Sequence, residues 1–480
     1  MKRTLNTLLI ALLCGTGVAQ AQFVDDAVRL SLNHSYPSAR AGALGLAYAG
    51  IADDFGATNI NPAGLALIPH EEFSLGMQMH STENTGLFLN NSFAVDDNST
   101  ALNHAAYAGK FDDNDLSGGT ISLMYNFDAD FNQTFELSGF NNDNSLVASW
   151  TAASPSVASP EDNIAYRLFL ADTVNGAMFT PIGGQLLQES GVRESGGLHS
   201  LSGGLAFDVE ENLAVGFSIR GNWGSYKYER EYVEIDQDNV YNELDTVGFT
   251  NVDFDRLSVV DRVEQDLAGL GFTVGMQSRY QNIMRFGFAI SSPMYYTVEE
   301  DFSRTAVATF DNGDAFEDVT EGFNDYKVST AWTFSSGISF NIEGLVVSGA
   351  AEYRTLNEIS FEDGIDEVAL LNRSIERVVD NQFNWGVGAE YNVPVLPIVL
   401  RGGFTHYDSP YADESFAGAR DVISAGAGIY VAPNARFDTM VRSYSGSFLR
   451  TTYGEAGVNT ALVDNQSLEV ALQFHIRFGQ

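Results

Sequence analysis

The C-terminal stretch Ser467–Phe478, SLEVALQFHIRF, alternates apolar and polar residues. Apolar side chains recur at every second position from Leu468 to Phe478, and only Ala471 departs from the pattern. Because successive side chains of a β-strand point to opposite faces, this spacing predicts one apolar and one polar face. The stretch Ile121–Leu137 alternates in the same way, which predicts a second strand with a single apolar face.

The alternation recurs along the chain and predicts about fourteen antiparallel strands. Their predicted starts are Glu72, Ala101, Gly119, Leu198, Leu213, Arg262, Ile283, Tyr326, Leu345, Ser374, Ile398, Asp421, Arg436 and Ser467. The connections alternate between tight turns and long polar loops. The predicted long loops are Ser81–Thr100, Gly139–Gly197, Asp236–Asp261, Asp301–Asp325, Glu362–Arg373, Ser409–Arg420 and Ser445–Gln466. One rim of tight turns and one rim of long loops is typical of an outer-membrane barrel.

A soluble β-sandwich also alternates, but it carries charge on its outer face. Here the face opposite the apolar one is largely Gly, Ser, Asn and Thr. Tyrosines near predicted strand ends fit an aromatic girdle at the membrane interface. They are Tyr226, Tyr228, Tyr295, Tyr296, Tyr391 and Tyr430. We therefore predict an all-β protein, a transmembrane antiparallel β-barrel.

The N-terminus predicts export. Lys2 and Arg3 precede the apolar run Leu8–Leu13, and an A-x-A cleavage site follows, so residues 1–21 are predicted to be a signal peptide of a Gram-negative outer-membrane protein. The single cysteine, Cys14, lies in this segment, and a lipid-anchored Cys14 is the alternative. No later stretch of the sequence approaches the roughly 18 apolar residues of a membrane helix. Membrane insertion therefore requires a barrel.

Composition and motifs exclude several function classes. The 480 residues include 25 Lys plus Arg against 63 Asp plus Glu, a formal charge of −38, which would repel a nucleic acid. The sequence contains no zinc-hydrolase, phosphate-loop or serine-nucleophile motif, so we expect no enzyme activity, no cofactor and no metal. Asp113–Gly118 imitates the start of a calcium loop, but its twelfth position is Met124 rather than Glu.

Two kinds of predicted loop segment are expected to have no specific function. The acidic clusters Glu299–Asp301 and Asp363–Glu367 are expected to be solvated surface, with cation-bridged contacts to lipopolysaccharide phosphates as the alternative. The apolar spacing over Ile365–Val379 predicts a short loop helix.

Residues 22–71 do not alternate. They are rich in Gly and Ala and include the turn-forming run Asn59–Leu65, in which Pro62 fixes the backbone. Composition alone fits a plug inside a barrel and a surface helix followed by a turn equally well.

The stretch Ser38–Ala66, SARAGALGLAYAGIADDFGATNINPAGLA, resembles the N-terminal hatch of the FadL family of outer-membrane long-chain fatty-acid transporters. The match is clearest at the Asn61, Pro62 and Ala63 motif, which Gly64 follows. Three further stretches resemble the family, especially members from Bacteroidetes-like bacteria. They are Phe131–Ser145, Phe286–Val298 and Trp385–Val393.

The resemblance implies a hatch over residues 22–71 inside a fourteen-stranded barrel over residues 72–480. It implies passive uptake of long-chain fatty acids or other hydrophobic compounds, with lateral release beside a kinked third strand. Asp128, Ala129 and Asp130 are the candidate kink, and the alternative is two ordinary lumen or rim carboxylates. The implied partners are a fatty-acid-like ligand, outer-membrane lipid, lipopolysaccharide and the barrel assembly machinery.

Two rival functions remain. A general porin or structural barrel predicts an open lumen and a wide, charged constriction. An outer-membrane lipase predicts a serine within hydrogen-bond reach of a strand histidine, for which the candidates are His104, His406 and His475.

Overall fold

The computed structural model describes residues 26–32, 36–111, 118–153, 160–242, 253–281, 283–363, 368–414, 416–453 and 460–479. They form a closed antiparallel barrel of 14 strands with an N-terminal helical segment. Closure is direct, because the first strand pairs with the last from Glu71 opposite Phe478 to Leu87 opposite Leu462. None of the described helices is long and apolar enough to span a bilayer.

The strands are numbered in chain order, with a and b for the two halves of an interrupted strand. They are β1 (Glu71–Phe88), β2 (Asn91–Phe111), β3a (Gly119–Asp130), β3b (Gln133–Asn141), β4 (Leu186–Glu210), β5 (Leu213–Ile235), β6 (Phe254–Tyr280), β7a (Met284–Ser291), β7b (Tyr295–Phe310), β8a (Ala315–Ser329), β8b (Thr333–Ile342), β9a (Leu345–Arg354), β9b (Ser360–Glu362), β10 (Gln382–Asn392), β11 (Ile398–Tyr407), β12 (Arg420–Ala432), β13 (Ala435–Thr451) and β14 (Thr460–Phe478). Each pairs antiparallel with its neighbours in the barrel wall.

Eight of the fourteen predicted strand starts lie within one residue of the observed ones, and Gly119, Leu213, Leu345 and Ile398 coincide with them. Five others are wrong by 7 to 12 residues, because the strands begin earlier than the apolar alternation does. They are Ala101, Leu198, Arg262, Tyr326 and Ser467. The predicted start at Ser374 is wrong, because Ser374 lies in a helix and β10 begins eight residues later. That helix, Val368–Val378, confirms the predicted loop helix. Its buried side chains, Leu371 and Ile375, are four residues apart, which is the spacing of one helix face rather than of a strand.

Two predicted long loops are in fact paired strands joined by tight turns. A third, Ser445–Gln466, is strand at both ends, where β13 and β14 pair up to Thr451 opposite Thr460. Ser81–Thr100 forms the end of β1 and the start of β2, joined by a two-residue turn in which Leu89 and Asn90 both have positive φ. Asp301–Asp325 likewise belongs to β7b and β8a, which pair up to Thr309 opposite Ala315. Most residues of these extensions are polar, although Leu87, Val319 and Phe323 are exposed apolar exceptions. Their composition is therefore close to that of a loop although their backbones are paired.

Large apolar side chains cover the outer face of the wall, as in a barrel surrounded by lipid. Phe286 is 40% exposed and Leu472 is 57% exposed, both on the predicted face. The tyrosine girdle prediction is only partly correct. Tyr295 and Tyr391 face outward, whereas Tyr226 and Tyr296 are 2% and 1% exposed and pack inside the lumen.

Residues 36–68, here called the lumen segment, fill the barrel interior. They form helix α1 (Ala39–Leu44), a 3-10 turn (Gly45–Gly50), helix α2 (Ala57–Ile60) and a second 3-10 turn (Pro62–Leu67). Nearly all these residues are buried against inward-facing strand positions. The lumen is therefore occupied rather than open at this level.

A cap covers the barrel end that carries the long loops. It consists of helix α3 (Leu146–Ala153), helix α4 (Ile164–Arg167) and a small hairpin (Asp172–Val174 with Ala177–Phe179). Their apolar side chains pack with the far ends of β5, β6 and β7b in one buried cluster.

Candidate functional site

The predicted hatch motif lies against the wall formed by β5 and β6. Asn61 caps the 3-10 turn Pro62–Leu67, because its Oδ1 accepts a hydrogen bond from the Ala63 N–H at 3.3 Å. Its Nδ2 donates to the Gln277 Oε1 at 3.0 Å and to the Met276 carbonyl at 3.1 Å. One side chain thus starts the turn and fastens it to the barrel.

Gly64 permits this turn to fold back on the lumen segment. A Cβ at Gly64 would lie 1.7 Å from the carbonyl oxygen of Ala52, a distance that no side chain allows. The motif therefore combines a wall anchor at Asn61 with a backbone crossing at Gly64.

A row of glycines on the inner wall receives the lumen segment. A Cβ built on any of them would lie 2.1 to 3.1 Å from an atom of that segment. They are Gly216 of β5, Gly275 of β6, Gly287 of β7a, Gly337 of β8b, Gly388 of β10, Gly403 of β11 and Gly426 of β12. Sequence reasoning noted that glycine fills the second face but missed its purpose, which is to let the lumen segment approach the strand backbones.

Buried ion pairs fasten the lumen segment near the tight turns. The Arg40 guanidinium lies 2.7 Å from the Glu390 carboxylate, 2.6 Å from Asp53 and 3.1 Å from Asp54. Arg285 of β7a reaches Asp53 from the other side at 2.6 Å. Burial raises the pKa of Asp53, but the two guanidinium groups outweigh it and hold that pKa below its ordinary value.

One serine does lie beside a strand histidine, as the lipase alternative requires. The Ser74 Oγ is 2.9 Å from the His104 Nε2, and the His104 Nδ1 is 2.7 Å from the Asn103 Oδ1. Both Ser74 and His104 are fully buried, however, and the ring of Phe55 stacks on His104. The Ser74 hydroxyl also reaches the Phe474 carbonyl at 3.2 Å. With no access for an ester, the arrangement anchors the lumen segment to β1 and β2.

The third strand bulges at Asp128. Its register against β4 shifts between Phe127 and Ala129, so Asp128 is an extra residue. The Asp128 carboxylate is buried on the lumen side, where Asn126, Ser200 and Asn222 donate hydrogen bonds to it at 2.6 to 3.0 Å.

The strand then stops at Asp130 and resumes at Gln133. The Asp130 carboxylate accepts hydrogen bonds from the Ser99 hydroxyl and from the Asn132 N–H. Asp128 is therefore a buried carboxylate on the lumen side, and Asp130 lies at the interruption that follows it, where its carboxylate faces Ser99 of β2 and His80 of β1.

The bulge corrects the prediction for Ile121–Leu137. Ile121 and Leu123 face outward, whereas Phe135 and Leu137 are buried inside. One extra residue moves every later side chain to the opposite face, so the apolar positions of this stretch do not share one face.

The barrel wall is discontinuous beside this irregularity. β2 pairs with β3a only from His104 to Phe111, and the described remainder of β2 pairs with β1 alone. The backbone of β3b pairs with β4. Side chains bridge the interval, because the Asp97 carboxylate accepts hydrogen bonds from the Thr134 N–H at 2.6 Å and its hydroxyl at 2.9 Å.

A groove of about 680 Å³ opens on the outer surface near the same irregularity. Phe127, His199 and Trp223 line it, together with Gly197 and Gly224. The His199 ring stacks with Trp223 at 5.9 Å between centroids. The groove thus offers an aromatic, outward-facing surface at a place where the wall contains glycine.

A cluster of packed apolar side chains lies on the lumen side of that wall. Residues 26–31 are helical, and their apolar side chains pack with Leu198, Tyr226 and Leu267. The Arg29 guanidinium sits 3.3 Å from the centre of the Tyr226 ring. Residues 26–31 therefore pack against aromatic side chains beside the irregular third strand, including Phe131 at its interruption.

Several predicted features lie outside the described residues. These are the signal peptide with Cys14, residues 113–117 of the calcium-like loop and most of the acidic cluster Asp363–Glu367. Within the part of the chain that the structure does describe, no group of three His, Cys, Asp or Glu residues is placed to hold a metal ion.

No family model matches the sequence, and no curated protein matches it. The fold, however, is similar to that of a FadL homologue from Pseudomonas aeruginosa, with a TM-score of 0.61 and 12% identity over 93% of this chain and 99% of that one. The chain has a FadL-like barrel fold. This FadL-like barrel is also similar to the toluene transporter TodX of P. putida (TM-score 0.54, 12% identity, 93% and 99% coverage). Similarity extends to the monoaromatic hydrocarbon channel CymD (TM-score 0.52, 11% identity, 94% and 99% coverage). Two of these similar structures are thus named as a transporter and a channel, and neither is named as an enzyme.

Proposed function

We propose that this protein is an outer-membrane channel of the FadL family for passive uptake of hydrophobic compounds, with long-chain fatty acids as the first candidate. Residues 1–21 target it for export, residues 22–71 act as a hatch, and residues 72–480 form the barrel that the assembly machinery inserts. Outer-membrane lipid and lipopolysaccharide surround it. No cofactor takes part. Its Bacteroidetes-like branch is a prediction from sequence resemblance.

The occupied lumen supports this proposal over the porin alternative. A solute that crossed straight through would have to displace the lumen segment, which Asn61 and Arg40 fasten to the wall. Hydrophobic compounds have another exit, because a lateral path into the membrane avoids the water beneath the hatch.

The observation that carries the proposal is the discontinuity between β2 and β3b. The wall there is joined by side chains such as Asp97 and Thr134 rather than by a backbone ladder. Separating two strands is costly when every backbone group is paired, and much less so where the contacts are side-chain hydrogen bonds. We infer that hydrophobic compounds leave the lumen beside the third strand.

A reversible crosslink tests this exit. The double variant D97C/T134C joins β2 to β3b, and the single natural cysteine, Cys14, lies in the predicted signal peptide, so no other thiol competes. The matched control is S447C/D464C, which crosslinks the paired strands β13 and β14. Uptake of a labelled long-chain fatty acid and of toluene is measured before and after reduction.

The oxidised D97C/T134C protein is expected to lose most uptake and to regain it on reduction, while the control keeps its uptake in both states. Uptake that is indifferent to the D97C/T134C crosslink would refute lateral release between these strands. Absence of uptake in the unmodified protein for both compounds would refute the channel itself.

A further inference from the structure

Arg420 is the first residue of β12, and its guanidinium has no ion-pair or hydrogen-bond partner among the described residues. Arg220 of β5 has no carboxylate partner among the described residues either, but it donates a hydrogen bond to the Asn59 carbonyl of the lumen segment at 3.1 Å. Nine other inward-facing arginines are each paired with a carboxylate. They are Arg29, Arg40, Arg230, Arg304, Arg354, Arg401, Arg436, Arg442 and Arg450. In a chain with 63 acidic and only 25 basic residues, a lumen guanidinium without a carboxylate is unexpected.

Aromatic rings surround this cation. Its guanidinium carbon lies 4.8 Å from the centre of the Tyr444 ring and 5.5 Å from that of Tyr407. The Tyr444 hydroxyl is 3.2 Å from the His80 Nε2. These rings hold the side chain in place through cation–π contacts but bring no negative charge to neutralise it.

The neighbouring Arg442 is already neutralised. Its guanidinium pairs with Glu469 at 2.7 Å and lies over the ring of Tyr36. Glu469 therefore balances Arg442, and the positive charge of Arg420 is left over. Arg420 is also partly exposed, so a dissolved anion can reach it.

Arg420 lies between the long-loop end of the barrel, where a compound would enter, and the interruption of the third strand, where it would leave. Farther along the same inner face of β12, Ser424 donates a hydrogen bond to the Ala43 carbonyl of the lumen segment at 3.0 Å. Arg420 thus lies on the long-loop side of that segment. On the other side of Tyr444, His80 lies 3.9 Å from Asp130, where the third strand is interrupted.

We propose that Arg420 binds the negatively charged group of the transported compound, and that the channel therefore prefers hydrophobic compounds with one anionic group over neutral hydrocarbons. The inference rests on the proposed function. It separates this chain from the toluene and monoaromatic hydrocarbon channels that share its fold, whose named compounds are neutral. The recognition chemistry is a charge-assisted contact to guanidinium, which carboxylate and phosphate groups both provide.

The test compares ligands that share a skeleton and differ in charge. Binding of decanoate and decan-1-ol, and of 4-ethylbenzoate and 4-ethyltoluene, is measured on the full-length protein in a non-ionic detergent and corrected with empty micelles. The variants are R420M, which keeps an unbranched apolar stem, R420K, which keeps the charge, and R193M at an exposed position of β4. Heat-modifiable electrophoretic mobility verifies the folded barrel in each.

Wild-type protein and R193M are expected to bind the anion of at least one pair about tenfold more tightly than its neutral partner. R420M is expected to lose that preference by weakening anion binding alone, and R420K to restore part of it. Equal binding of anion and neutral partner by the wild type, or an unchanged preference in R420M, would overturn the inference and leave the proposed function intact. If none of the four compounds binds, both are overturned.

Discussion

Replacing Arg40 by methionine removes the cation that joins the lumen segment to the barrel wall. Arg40 is 8% exposed and Glu390 is 6% exposed, so little solvent screening reduces their interaction. Losing one partner of a buried pair costs about 3–5 kcal/mol. In R40M the Glu390 carboxylate still pairs with Arg401, and the Asp53 carboxylate still pairs with Arg285. The loss of stability is therefore expected near the lower end of that range, at about 3 kcal/mol.

A cost of about 3 kcal/mol raises the population of undocked lumen segment roughly a hundredfold. Barrel strands do not depend on Arg40 for their backbone pairing, so the barrel is expected to insert normally. In planar bilayers R40M should conduct ions much more often than wild type, and a protease added from the tight-turn side should cleave residues 36–68 more rapidly. The control K110M changes an exposed lysine of β2 and should behave as wild type.

Unchanged conductance and unchanged protease resistance in R40M would refute the prediction that these ion pairs hold the lumen segment in place. A double-mutant cycle with E390Q separates the pair from its surroundings. Coupling below about 0.5 kcal/mol between the two positions would also contradict it.

Other predictions concern packing, lipid contact and pH. G275V places a Cβ 2.1 Å from the Asn61 Oδ1, so it should displace the lumen segment and raise ion conductance in planar bilayers. The control G203V, whose Cβ has no neighbour nearer than 4.0 Å, should conduct as the wild type does. F286R should lower barrel stability by about 2–4 kcal/mol near the membrane midplane, and F286L by much less, as measured by urea unfolding in lipid vesicles. Because the pKa of Asp53 is depressed in the folded state, its contribution to docking is present above its ordinary pKa of about 4 and lost as pH falls through the lower folded value. Conductance of the wild type should therefore rise below about pH 4, and D53N should show a smaller rise from a higher level at neutral pH.

Alternation in the sequence was sufficient to predict the barrel, because each strand separates an apolar outer face from a polar lumen face. It failed where a single residue breaks the period. The resemblance made Asp128 a candidate for a kink, but the alternation continues through it and does not show that it is an extra residue. It also failed for Ser81–Thr100, which is paired strand although most of its residues are polar.

The site was less predictable than the fold. The Asn61 motif could be recognised by resemblance, but its wall partner Gln277 is 216 residues away. Arg40 and Glu390 are 350 residues apart in the sequence, so neither residue alone predicts a buried ion pair. The sequence shows that glycine is frequent on the inner face of the strands. It does not show why, because the backbone contacts that require glycine form only in the closed barrel.

Ligand extraction combined with bilayer conductance tests the account most directly. The purified protein is analysed by mass spectrometry for bound compounds, and conductance is recorded before and after deletion of residues 23–67. We predict a co-purified hydrophobic compound and little conductance until the segment is deleted. A ligand-free protein that conducts ions freely when intact would contradict a plugged channel and favour a porin.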